Sequence, residues 1–140
     1  MSAIEKFKLF YQQLKNRDIS GITDVYDKNI EFIDPIATHQ GIDVVQKYFD
    51  KLLKGTRWCK FDIRSIRSSS ESDHTVEWIM TFEANKLKRD KPIEVQGITV
   101  LQTDADKVLY HRDYYDMGQL AYENIPILSF FVKRVKEQLQ

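Results

Sequence analysis

The chain has 140 residues, enough for one domain with a substantial core. Hydrophobic residues make up 42% and charged residues 30%, a globular balance that excludes a disordered chain. Lys plus Arg and Asp plus Glu stand at 21 each, so no excess basic charge favours a nucleic-acid partner, and none is expected.

The first predicted element is a helix over residues 3–16, where Ile4, Phe7, Phe10, Tyr11 and Leu14 recur at helical spacing. A short second helix is expected from Ile19 or Ser20 to about Tyr26. Residues 30–34 read as a short strand stopped by Pro35, which lacks a ladder donor. A third helix follows Gly41, with Ile42, Val45, Phe49, Leu52 and Leu53 as its inner stripe and Gly55 at its end.

The period then changes from helical to alternating. Residues 58–68, 74–85, 92–103 and 107–116 read as four long strands joined by polar turns, and short connections favour antiparallel neighbours. Helices followed by a run of strands define an α+β class. Two units are expected: a domain over 1–125, and over 126–140 an amphipathic helix packed on that domain or on a partner subunit. Leu128, Phe131, Val132, Val135 and Leu139 form the helix's apolar side.

Cys59 is the single cysteine, so no internal disulfide forms. The segment MSAIEKFKLF has no signal-peptide core, and no apolar run approaches the roughly 20 residues that cross a bilayer. A cytoplasmic location is expected. Peripheral membrane contact through the last helix is less favoured than packing on protein.

The element order resembles the nuclear transport factor 2-like superfamily, which includes ketosteroid isomerases, limonene epoxide hydrolases and SnoaL-like polyketide cyclases. The resemblance rests on Phe10-Tyr11-Gln12-Gln13-Leu14 with Asp18 and Gly21, on Ile33-Asp34-Pro35, on Gly41-Ile42-Asp43 and on Tyr110-His111-Arg112-Asp113-Tyr114-Tyr115-Asp116. It covers about residues 3–122. It implies a curved sheet wrapped around the N-terminal helices as a cone, a pocket for a small hydrophobic molecule, and a homodimer through the outer sheet face. Arg64, Ile66, Val95, Tyr110 and Tyr114 are expected on that face.

Asp34 closes an apolar strand, where desolvation would make it a better base. Its structural alternative is to accept backbone hydrogen bonds and shape a turn. On the last strand, alternation places His111, Asp113 and Tyr115 on one face, so Asp113 is a candidate acid/base with His111 tuning it. Asp113, Asp34 and His111 are therefore the candidate catalytic residues. Val76, Trp78, Met80 and Phe82 share a face that forms either an apolar pocket wall or plain core. By the resemblance, Phe10, Tyr11, Trp78, Met80, Phe82, Ile98, Tyr115 and His39 line the pocket.

Two activities of the superfamily are disfavoured. Phe10 and Ile98 stand where the steroid isomerases carry oxyanion donors, and neither donates a hydrogen bond. Trp78 and Met80 stand where the epoxide hydrolases carry an Arg and an Asp. The histidines and the cysteine have no metal-ligand spacing and no glycine-rich phosphate loop occurs, so neither metal nor cofactor is expected. Three functions remain open: an acid/base enzyme of isomerase, cyclase or hydrolase type, a non-catalytic binder of a lipid-like or aromatic ligand, and a protein-interaction scaffold.

Overall fold

The computed structural model describes residues 1–85, 91–116, 118 and 137–139. Helix α1 spans Ala3–Gln13, continues as a 3₁₀ turn over Leu14–Asn16, and is followed by the single-turn α2, Ile22–Val25. Strands β1 (Tyr26–Ile33) and β2 (Thr38–Gln40) precede helix α3 (Ile42–Gly55). Strands β3 (Thr56–Ser68), β4 (Asp73–Ala84), β5 (Ile93–Thr103) and β6 (Val108–Tyr115) follow. The expected α+β architecture is thus present. The C-terminal helix expected over 126–140 lies outside the described residues except at 137–139, which are helical.

Local chemistry sets the element ends. Ser2 and Glu5 form a capping box at α1: the Ser2 hydroxyl accepts from the Glu5 N–H at 3.3 Å, and the Glu5 carboxylate accepts from the Ser2 N–H at 2.9 Å. Gly41 opens α3 at φ +89°, a conformation closed to most side chains. At the other end of α3 the Arg17 guanidinium donates to the carbonyls of Leu53, Thr56 and Arg57, satisfying groups the helix leaves free.

The six strands form one sheet in the order β2-β1-β6-β5-β4-β3. All neighbours are antiparallel except β1 and β6, which run parallel and bring Phe32 opposite His111. Strand β2 is absent from the sequence reading. It is a three-residue edge strand whose exposure alternates weakly, and it folds back through a turn closed by the Asp34 N–H on the Ala37 carbonyl at 3.0 Å.

The inner face of the sheet packs on α1 and α3. Val76, Trp78, Met80 and Phe82 share this face as expected, and all four belong to the buried core. Phe10 and Tyr11 are also core residues. Phe10 meets Phe49 edge-on at 5.2 Å between centroids, and Tyr11 meets Phe61 edge-on at 5.0 Å. Tyr11 also stacks against the His111 ring, with centroids 6.4 Å apart.

Three positions fall on a face other than the one expected. Ile98 pairs with Glu77 and Tyr114 on the outer face and is 39% exposed, so it stands across the sheet from Trp78. Val95 and Ile66 lie on the inner side: Val95 pairs with Met80, and Ile66 pairs with Val76 after an irregularity between Ile63 and Ser65. A bulge of that kind shifts the side-chain alternation by one.

Candidate functional site at the β1–β6 edge

The parallel pairing of β1 and β6 places the end of one strand beside the end of the other. A cleft of about 520 Å³ opens there, lined by Asp34, Pro35, Arg112, Asp113, Tyr114 and Tyr115. The two candidate carboxylates, far apart in the sequence, therefore share one cleft.

They are held differently. Asp34 has both oxygens engaged: Oδ1 accepts from the Ile36 and Ala37 N–H groups, both at 2.8 Å, and Oδ2 lies 3.2 Å from His39 Nε2. This is an Asx-type turn that pulls β2 back onto β1. His39, whose ring sits 5.0 Å from that of Tyr48, flanks Asp34.

Asp113 is held by one oxygen only. Its Oδ1 accepts from the Thr99 hydroxyl at 2.5 Å and lies 2.7 Å from His111 Nε2. Among the described residues nothing donates to Oδ2. Thr99 is directed by the Trp78 Nε1–H, which donates to its hydroxyl oxygen at 2.7 Å. An indole N–H can only donate, so the Thr99 proton is left to point at Asp113. The indole reaches Thr99 by lying across Gly97, where a methyl group would overlap its six-membered ring.

His111 is fully buried and stacks on Phe32, with centroids 3.9 Å apart and planes 16° apart. Its Nδ1 lies 3.0 Å from the Tyr26 hydroxyl, which lies 3.0 Å from the Tyr11 hydroxyl. A continuous polar chain thus crosses the aromatic core from Tyr11 to Asp113. Burial, and behind it the Asp113 charge, push the Tyr11 and Tyr26 phenols well above their ordinary range. Burial followed by the charges of Asp34 and Asp113 does the same to Tyr115 in the cleft. Tyr48 is raised first by burial and then by Asp113. All four phenols therefore remain protonated donors at neutral pH.

His111, Asp113, Asp34, Tyr115 and His39 come together at this edge. Phe10, Tyr11, Met80 and Phe82 do not line the cleft, and Trp78 acts on it through Thr99. Sequence reasoning missed Thr99, Tyr26 and Tyr48 as members of the network. Thr99 becomes visible only through the β5–β6 register that sets it opposite Asp113. Among the described residues no cluster of three or more His, Cys, Asp or Glu side chains is arranged to hold a metal.

The fold and cleft define a helix-backed, curved-sheet domain of the nuclear transport factor 2-like class. The SnoaL-like domain family matches residues 7–111, and the chain belongs to that family. No curated protein matches the sequence. Among solved structures the chain is similar to a nuclear transport factor 2-like protein of unknown function from Burkholderia pseudomallei. That pair has 13% identity, coverage of 90% of this chain and 99% of that one, and a TM-score of 0.76. It is also similar to TerC co-crystallised with polyporic acid, at 14% identity, 88% and 97% coverage and a TM-score of 0.75. A third similar structure is an epoxide hydrolase of the limonene epoxide hydrolase-like type from M. tuberculosis, at 14% identity, 94% and 96% coverage and a TM-score of 0.72. At such identities the likeness speaks for the fold. No helix among the described residues is long and apolar enough to cross a membrane.

Proposed function

We propose that the chain binds a small, largely apolar organic molecule in the β1–β6 cleft and acts on it by proton transfer through Asp113. The observation that carries this reading is the asymmetry of Asp113: two donors fix Oδ1, while Oδ2 has no partner among the described residues of a residue that lines the cleft. A base needs one free, oriented lone pair, and this arrangement provides it. Tyr114 and Tyr115 supply aromatic walls, and the protonated Tyr115 phenol is a donor for a ligand oxygen. TerC, with the same fold, was co-crystallised with an organic acid, which supports a ligand of that size class. The missing donor at Phe10 speaks against steroid isomerisation, and Trp78 and Met80 against epoxide hydrolysis; Ile98, on the outer face, bears on neither. Isomerase, cyclase and other hydrolase chemistry remain within the reading.

The test is a thermal-shift and NMR screen of aromatic and polycyclic compounds on the wild type, Asp113→Asn and Tyr115→Ala. Binders are expected to move the Asp113 and Tyr115 resonances and to lose stabilisation in Tyr115→Ala. Hits that leave both residues unmoved place the ligand elsewhere and end the proposal. Binding without turnover, with Asp113→Asn binding as tightly as the wild type, favours the non-catalytic alternative. We further propose a cytoplasmic homodimer through the outer sheet face. There Arg64, Glu77, Ile79, Gln96, Ile98 and Tyr114 surround a hollow of about 510 Å³, and Ile98 and Tyr114 are exposed.

A further inference from the structure

Counting hydrogens along the buried chain fixes the state of His111. Its ring is enclosed by Phe7 and Tyr11 from α1, Tyr26 and Phe32 from β1, and Asp113 from its own strand, the last being the one charged group among the described residues in contact with it. Suppose the ring carried both protons. Nδ1–H would then donate to the Tyr26 oxygen, Tyr26 would donate to Tyr11, and the Tyr11 proton would need an acceptor of its own. Tyr11 is buried among Phe7, Phe10, Phe49 and Phe61, and among the described residues its hydroxyl has only Tyr26. The neutral ring with its hydrogen on Nε2 leaves nothing over. Tyr11 donates to Tyr26, Tyr26 donates to Nδ1, and Nε2–H donates to Asp113 Oδ1.

We propose that Tyr26, backed by Tyr11, is a positioning residue that locks His111 as the neutral Nε2–H tautomer, so that Asp113 faces the cleft beside a neutral donor rather than a cation. An imidazolium at 2.7 Å would hold the carboxylate ionised and blunt it as a base, whereas a neutral N–H orients it and leaves its free oxygen basic. The mechanical value of the lock rests on the reading of Asp113 as the cleft's base, but the tautomer itself does not.

The test is long-range ¹H–¹⁵N NMR of the full chain labelled at histidine, with His111 assigned through its contact with the Phe32 ring. At neutral pH the wild type is expected to show a protonated Nε2 and an unprotonated Nδ1 shifted by an accepted hydrogen bond. In Tyr26→Phe the Nδ1 resonance should move to the position of a free acceptor. A doubly protonated ring, an Nδ1–H tautomer, or an Nδ1 shift unchanged in Tyr26→Phe overturns the proposal. Should Tyr26→Phe fail to fold, the wild-type spectrum decides alone. A failed ligand screen with the expected tautomer removes the proposed function and leaves the lock, and the reverse result removes the lock alone.

Discussion

Replacing Gly97 with alanine tests whether the Trp78 indole holds the donor side of Asp113. The added methyl overlaps the indole, so the ring must swing off β5 and its N–H must leave Thr99. Overpacking of this kind costs about 1–3 kcal/mol, and a lost buried hydrogen bond adds about 1 kcal/mol. Alanine returns about 0.4–1 kcal/mol by restricting the unfolded chain, for a net loss of about 1–3.6 kcal/mol. At about 2.1 cal/mol/K of unfolding entropy per residue, the 140-residue chain loses about 0.3 kcal/mol per degree, so Tm should fall by about 3–12 °C. Differential scanning calorimetry measures that fall. The indole N–H is followed by NMR in a Trp58→Phe background, which leaves Trp78 as the single tryptophan. Its resonance should move and its proton should exchange faster. A Tm within about 1 °C of the parent, with an unmoved indole proton, would refute the coupling of Gly97, Trp78 and Thr99.

Two further predictions concern the outer face and alkaline pH. Ile98→Glu places a charge opposite Glu77 in the proposed dimer surface, and light scattering should show the mass falling from dimer to monomer. A monomeric wild type, or a variant of unchanged mass, removes the dimer. At high pH, burial holds the Cys59 thiol up at about 11, against an ordinary value of 9.0, and raises Tyr11, Tyr26 and Tyr48 as well. The unfolded chain therefore releases protons before the folded one does, and stability falls as pH rises from about 9. Tyrosinate absorbance from these phenols should appear together with loss of circular dichroism. Their smooth titration in a still-folded protein would contradict the burial argument.

Much of this architecture is legible in the chain because alternation and helical period are strong over long elements. The strand expected over 58–68 is observed over Thr56–Ser68, and that expected over 107–116 over Val108–Tyr115. The facing set His111, Asp113 and Tyr115 follows from the pleat alone. What escaped needed cross-strand register. The resemblance puts Ile98 in the pocket, but its neighbours Glu77 and Tyr114 lie with it on the outer face. Thr99 matters only because Asp113 lies opposite it, and Tyr26 only because the parallel pairing of β1 and β6 carries His111 over it. Asp34 could be read both ways, as base or as turn former. Its two backbone donors and its His39 partner show the turn directly, and no residue near it in sequence announced that Asp113 would share its cleft.

The parallel pairing of β1 with β6 also bears on how the molecule assembles. Tyr26 and His111 are 85 residues apart in the chain, and the pairing of β1 with β6 joins the first strand of the sheet to the last. Closing so long a loop carries an entropic cost, and contacts of high sequence separation slow folding. The β1–β6 edge is therefore a poor candidate for melting independently: chemical or ligand-based reporters placed there should disappear in the same cooperative transition as the whole domain, making that cleft a gauge of complete folding.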